Sequence, residues 1–198
     1  MKTIFDSDIS PAELRSHHVS QGELPSIFQR DRSSSQTDAR LSQVKLLALD
    51  VDGVLTDGGL YYAQNGEVQQ RFNIKDGQGL KRLIQSGVEV AIITAKSYSS
   101  TLHRAKDLGI THTYLGIKDK LSTLVHLCEK LGISLSQVAY VGDDINDLEV
   151  MHVVGCPLTV ADAMRANQAC SLYVTKLPGG QGAVREICDL LVALQSIK

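Results

Sequence analysis

The run Leu46-Leu47-Ala48-Leu49-Asp50-Val51-Asp52-Gly53-Val54-Leu55-Thr56-Asp57-Gly58 constrains the fold of this chain more than any other stretch. It is apolar on both faces, short, and closed by two aspartates at i and i+2, with glycine following at once. A short run with no polar alternation reads as a strand buried on both sides, as in a parallel sheet. Side chains at i and i+2 of a strand share a face, which predicts that Asp50 and Asp52 sit together at the C-terminal end of the strand. In an open α/β sheet that edge is where ligands bind. Two adjacent like charges call for a divalent cation or a proton-transfer role. A plain polar turn after a core strand is the alternative that the rest of the chain has to decide.

Composition narrows the classes. With 198 residues and a net charge of −2, the chain is long enough for one domain with a real core, and nothing in its charge favours nucleic acid or an anionic membrane surface. No apolar run approaches the roughly 18 residues of a membrane span, and residues 1–20 show no apolar signal region. Cys128, Cys156, Cys170 and Cys188 have no CxxC spacing and read as reduced, packed residues. These features lead to the expectation of a cytoplasmic protein. The scattered histidines, His17 and His18 included, lack the spacing of a metal motif.

Residues 1–40 differ in character from the remainder of the chain. Ser10-Pro11-Ala12-Glu13 has the form of a helix start, predicting a short helix near 11–18. Arg30 to Asp38 is polar and Ser-rich and reads as a linker. The chain therefore divides into an extension over 1–40 and a domain over 41–198. In the domain, Asn65-Gly66 between two β-prone runs predicts a hairpin over 59–73. Helices are expected over 77–86, 97–108, 119–131, from the Asp143–Asp147 run to about 153, and over 183–194, with Gly109 and Gly132 closing two of them. Strands are expected at 88–94, 112–115, 138–142, 157–160 and 172–175. This alternation implies an α/β fold, a doubly wound, mostly parallel, Rossmann-like sheet with a hairpin insertion and no separate cap domain.

Three strand ends carry unusual polar residues: Asp50 with Asp52, Thr94, and Asp143 with Asp144 and Asp147. In a parallel sheet these ends share one edge, and Lys120, opening a helix after a strand, reaches the same edge. Carboxylates, a hydroxyl and an ammonium suit a Mg²⁺-bound phosphate, the oxygens for the cation and the donors for the phosphate.

The order DxDGVxTDG, then a strand ending in Thr, then Lys, then GDDxxD resembles the haloacid dehalogenase superfamily of phosphatases. The match spans 45–195. The Asn65-Gly66 hairpin, Phe72 to Gly77, Val88 to Thr94, Leu108 to His112, Ala139 to Asp144 and Gly179 to Glu186 are similar to one branch, the 3-deoxy-D-manno-octulosonate 8-phosphate (KDO 8-phosphate) phosphatases. The resemblance implies Mg-dependent hydrolysis of a sugar-acid phosphate in lipopolysaccharide precursor synthesis. Asp50 is the implied nucleophile and Asp52 the implied acid and base. Mg²⁺ is implied on the carboxylates of Asp50 and Asp143 and the carbonyl of Asp52, with Asp144 and Asp147 orienting them or contributing a further ligand. Thr94 and Lys120 are implied on the phosphate oxygens. Asp52, Asn73, Ile74, Lys75, Asp76, Gly77, Lys81, Lys96, Arg104 and Lys120 are implied around the substrate. Lys75, Lys96 and Gln181 stand where members commonly have Arg, and Lys lacks the planar fork that grips a carboxylate.

The resemblance also implies a homotetramer in which hairpins associate and a neighbour covers each site, with the Gly179–Gly182 segment as a candidate cover. Each of these acidic residues has an ordinary reading too: Asp144 or Asp147 as a helix N-cap, Asp57 as a turn residue. Two rival functions remain, a phosphatase for a nine-carbon sugar acid 9-phosphate and a non-catalytic phosphate-sensing or partner-binding module. The second is disfavoured because a degenerate relative is expected to have lost Asp50 or Asp52, and this chain keeps both.

Overall fold

A computed structural model describes residues 35–196. The expected helix near 11–18 and the first part of the Ser-rich run lie outside the described residues. Residues 35–38, expected as linker, instead begin a helix, α1 (Ser35–Leu41), which is anchored by the fully buried Leu41. The apolar residue at the end of the polar stretch has a core to enter, which the local composition does not reveal.

The central strand β1 (Leu46–Leu49) pairs in parallel with β4 (Glu89–Ile93) on one side and β6 (Val138–Val141) on the other. Beyond them lie β5 (His112–Tyr114), β7 (Cys156–Thr159) and β8 (Tyr173–Val174), giving the all-parallel order β5-β4-β1-β6-β7-β8. The expected hairpin forms outside this sheet as β2 (Tyr61–Tyr62) and β3 (Val68–Gln69), antiparallel and shorter than expected. Gly66 takes a φ of 81° at its turn, as Asn-Gly turns require.

Strand parity sorts the core into two layers. Leu47, Leu49, Val90, Ile92, Ala139 and Val141 pack with α2 (Ile74–Gln85), α3 (Ser99–Leu108) and α7 (Ala183–Gln195). Leu46, Ala48, Ala91, Ile93, Val138 and Tyr140 pack with α4 (Lys120–Leu131) and α5 (Leu148–Met151). Burying each leucine completely contributes about 1.5–3 kcal/mol relative to exposure. Helix α2 begins three residues earlier than expected because Asn73 caps it, its side chain accepting from the Lys75 amide. A short helix, α6 (Arg165–Cys170), was not expected; its sequence has little apolar periodicity. The four cysteines are free, three of them buried. Among the described residues, no helix is long and apolar enough to cross a membrane.

Candidate active site

Strand β1 ends at Leu49, and the chain turns at once. The Val51 carbonyl accepts from the amides of Val54, Leu55 and Thr56 at 3.2, 2.9 and 3.0 Å. Asp52 therefore lies in a turn, and strand parity is not what brings it near Asp50. The fully buried Thr56 hydroxyl accepts from the amides of Gly53 and Gly58, tying the turn together. Gly53 has a φ of 84°, and a Cβ there would lie 2.0 Å from the Asp143 carboxylate. Only glycine lets the turn pass so close to that group.

Asp50 keeps the side of the sheet that faces α4. Its Oδ2 lies 2.8 Å from Lys120 Nζ, and its Oδ1 accepts from the Val51 amide at 2.7 Å. Lys120 is the first residue of α4, placed there by the Asp119 side chain, which caps the helix by accepting from the Ser122 amide. Its ammonium also donates to Asp147 Oδ1 at 2.7 Å, and the Lys120 side chain is only 2% exposed. Tyr140 donates its phenol proton to the same Asp147 oxygen at 2.6 Å, while the amides of Asp143 and Asp144 donate to Asp147 Oδ2. Asp147 thus has two donors on each oxygen. Asp144 caps the short 3₁₀ turn at 145–147, as in its alternative reading, and accepts from Ile145 N at 2.7 Å.

Asp143 is different. Its Oδ1 is buried and has no hydrogen-bond donor. Oxygens of Asp50, Asp143 and Asp147 lie within 4.8 Å of one another. Burial, then the charges of Asp50, Asp147 and Asp144, push the Asp143 carboxyl up to about 7. Burial, then Asp147, raise Asp50 to about 6 against the pull of Lys120. Burial pulls the Lys120 ammonium down, but Asp50 and Asp147 more than offset this and hold it above its usual range. An orphaned buried oxygen among repelling carboxylates fits a hard divalent cation. Asp147 has its acceptor sites filled, so Asp50 and Asp143 are the carboxylates with capacity left to hold one.

The cleft over these groups is about 180 Å³ and is lined by Asp50, Asp52, Thr94, Lys96, Asp143 and Asn146 among others. The Thr94 hydroxyl accepts from the Lys96 amide at 3.3 Å, leaving its own proton to donate to a guest. A larger concavity of about 540 Å³ lies between α1 and residues 134–137, at the other end of the strands. It holds no carboxylate, so its size does not make it the site.

The expected substrate residues separate. Asp52, Lys96 and Lys120 belong to the cleft or its floor. Ile74 and Lys75 are exposed on the first turn of α2, with Ile74 77% exposed. Asn73 caps α2 and donates to the Gly180 carbonyl at 3.3 Å. Arg104 donates to the Asn73 carbonyl at 2.9 Å and lies over the Phe72 ring. None of these four lines the cleft, and three further residues serve other parts of the fold. Asp76 is 1% exposed and accepts from the amides of Gly182 and Arg185, capping α7; burial raises its carboxyl against those bonds. Gly77 is buried beneath Arg104, whose guanidinium would meet a Cβ at 2.2 Å. Lys81 faces a separate hollow beside Lys106 and Gly109.

The Gly-rich segment expected as a cover for a neighbour is docked on its own chain. The Gly180 amide donates to Val54 O at 3.0 Å, and a Cβ on Gly179 would sit 1.8 Å from the Gly53 carbonyl. Gly179→Ala is therefore expected to push the Asp52 turn off Asp143 and lower turnover by roughly a hundredfold, since small misplacements cost that much. Steady-state assay of the purified variant checks this, with far-ultraviolet circular dichroism to show that the fold is kept.

Tyr140, Thr56 and Gln70 were missed. Tyr140 reads as core within an apolar strand, and only the fold shows its hydroxyl on Asp147. Gln70 reads as one polar residue of a hairpin, yet its amide donates to Asp52 Oδ1 at 2.7 Å.

Comparison with known proteins bears on this site. Residues 74–155 match the family model of haloacid dehalogenase-like hydrolases. The chain is 46% identical over 162 residues to the KDO 8-phosphate phosphatase KdsC of Escherichia coli K12, covering 82% of this chain and 86% of that protein. It is 45% identical to the enzyme of the same description from Yersinia pestis, covering 79% and 83%. A crystal structure of the Moraxella catarrhalis KDO 8-phosphate phosphatase with magnesium, phosphate and KDO superposes with a TM-score of 0.80 at 43% identity, covering 81% of this chain and 92% of the other.

Proposed function

We propose that this chain, which belongs to the haloacid dehalogenase-like hydrolases and within them to the branch of the KDO 8-phosphate phosphatases, hydrolyses KDO 8-phosphate to KDO and phosphate with Mg²⁺ as cofactor. The observation that carries the chemistry is the buried pairing of Asp50 with Lys120 beside the donor-less oxygen of Asp143. On the same reading the reaction supplies KDO for lipopolysaccharide precursors.

Asp50 attacks phosphorus, and the phosphoryl group passes from the sugar oxygen to its carboxylate. Lys120 fixes the direction of the Asp50 carboxylate and supplies positive charge to the equatorial phosphate oxygens, where phosphoryl transfer needs it. Thr94 donates to one of those oxygens. Asp52 gives its proton to the leaving alkoxide and later takes one from the water that releases phosphate. Mg²⁺, held by Asp50 and Asp143 together with the Asp52 carbonyl, neutralises the phosphate charge that otherwise repels a carboxylate nucleophile. Asp147 holds Lys120 and the Asp143–Asp144 backbone in place, with Tyr140 behind it. Asp144 shapes the same loop as the cap of its 3₁₀ turn.

On this reading Lys96 at the cleft, together with Asn73, Ile74 and Lys75 at the start of α2 and Arg104 on α3, meets the sugar acid. Asp76 and Gly77 support that side from behind, Asp76 by tying the start of α7 to α2 and Gly77 by leaving room for Arg104. A neighbouring subunit completes this side in a homotetramer. The exposed Leu60, Tyr61, Tyr62 and Ile74 around the hairpin support that assembly. A fully active monomer in sedimentation overturns it. The free cysteines support a cytoplasmic setting.

The test is phosphate release across sugar-acid phosphates, with Mg²⁺ and with chelator. KDO 8-phosphate is expected to be the best substrate, and activity is expected to vanish with chelator. Preference for a nine-carbon acid 9-phosphate, or no release from any substrate, defeats the assignment.

Metal binding also has a pH signature. Asp50 and Asp143 have folded pKa values raised to about 6 and about 7, so the metal-free fold binds more protons than the unfolded chain from about pH 4 to 7. Their contribution to stability falls as pH rises through that window. Mg²⁺ favours the ionised forms and removes the penalty. The rise in melting temperature on adding Mg²⁺ is therefore expected to be larger at pH 8 than at pH 5.5, measured by calorimetry.

A further inference from the structure

Gln70 follows the hairpin strand β3 and touches three segments far apart in sequence. Its Nε2 donates to Asp52 Oδ1 at 2.7 Å. Its Oε1 accepts from the hydroxyls of Ser100 at 2.7 Å and Thr101 at 2.9 Å, both in the first turn of α3. Thr101 is buried, while Gln70, Ser100 and Asp52 are half-buried, so the junction is partly shielded from solvent.

The arrangement is directional. A primary amide has a donor end and an acceptor end. An ionised Asp52 carboxylate only accepts, so the NH₂ is the end that faces it, and the Oε1 is left to be anchored by the Ser100 and Thr101 hydroxyls. Asp52 itself lies in a turn with no strand ladder to orient it. A carboxylate that must deliver a proton to one leaving oxygen has to be held within a few tenths of an ångström. One oxygen occupied by the Gln70 donor leaves the proton to be carried on the other.

We propose that Gln70 is a positioning residue for Asp52, with Ser100 and Thr101 anchoring the far end of its amide, and that the hairpin thereby sets the geometry of proton delivery to the leaving group. The proposal rests on the phosphatase reading above. It gives the hairpin a role inside its own subunit. Gln70 also connects the acid to α3, whose preceding loop carries Lys96 and whose body carries Arg104. Substrate contacts on that helix and the placement of the proton donor are therefore mechanically joined.

Leaving-group dependence tests it. kcat/KM reports the step in which the phosphoryl group leaves the substrate oxygen. A sugar-acid alkoxide needs a proton at that moment, whereas 4-nitrophenolate does not. Wild type, Gln70→Ala, Gln70→Glu and the double variant Ser100→Ala/Thr101→Val are compared on KDO 8-phosphate and on 4-nitrophenyl phosphate, all with Mg²⁺.

For Gln70→Ala the expected loss in kcat/KM is about tenfold to a hundredfold on KDO 8-phosphate, part of the 10²–10⁴ a general acid supplies, and several-fold smaller on the aryl ester. Gln70→Glu fills the same volume but presents an acceptor to Asp52, so it is expected to lose at least as much as the alanine variant. The double variant, which keeps the amide but removes the two donors that anchor its Oε1, is expected to show the same pattern at smaller size. Equal losses on both esters, or a Gln70→Glu variant that behaves as wild type, overturn the proposal and leave Gln70 a packing residue. A wild type inactive on both esters defeats the phosphatase reading instead.

Discussion

Asp50→Asn is expected to abolish turnover while the fold survives. The amide cannot take the phosphoryl group, and loss of a nucleophile costs roughly 10⁴-fold or more in rate. The fold has reason to tolerate the change. Asp50 is 5% exposed, and burial together with the Asp147 charge disfavours its ionised form. Replacing it with a neutral isostere removes that conflict. Lys120 keeps its second partner, Asp147, at 2.7 Å. The metal-free variant should therefore melt within a few degrees of wild type, and its thermal gain from Mg²⁺ should shrink because one of the two carboxylates with spare capacity is gone. Phosphate release and calorimetry on one preparation check both halves. Phosphate release at the wild-type rate from the pure variant removes Asp50 from the reaction.

Lys120→Met is expected to have the largest effect on stability. Methionine fills most of the space but leaves Asp50 Oδ2 without its ammonium and takes one of two donors from Asp147 Oδ1. Removing one partner of a buried charge group costs about 3–5 kcal/mol. For a domain of this size that is a fall in melting temperature on the order of 10 °C. The sign with pH comes from the remaining acids. Asp50 already has a folded pKa of about 6, raised by burial and Asp147 and held down by Lys120. Without Lys120 it rises further. The variant is thus most destabilised above neutrality, where Asp50 is ionised, and recovers part of the loss on acidification, when Asp50 takes a proton and stops repelling Asp147. Calorimetry at pH 8 and at pH 5.5 without metal checks this. An equal loss at both pH values points to lost packing rather than lost charge pairing.

Both expectations began as residues legible in one dimension. The α/β alternation, the parallel sheet and the convergence of Asp50, Thr94, Lys120 and Asp143 on one edge arise from short apolar runs that end in polar residues. A parallel sheet puts every such end on the same side. Where the reading slipped, the cause was contact at long range. Asp76 looked like a substrate residue because it sits in the segment after the hairpin, yet its carboxylate serves the amides of α7, more than 100 residues away. The Gly179–Gly182 segment was expected as a cover for a neighbour's site, and what its spacing did not reveal is that Gly179 and Gly180 let the backbone pack on the Gly53 turn of their own chain.

The sequence by itself determined the sheet, its central strand and the types of chemical group at the end of that strand. Periodicity and residue identity carry those directly, since they depend on backbone geometry within a few residues. Only the tertiary structure decided the individual jobs. It saturated Asp147 with four donors, left Asp143 Oδ1 with none, and bound Asp52 to Gln70. Spacing along a chain does not contain that information, because the cost of a buried carboxylate depends on which donors the folded chain brings within about 3 Å of it.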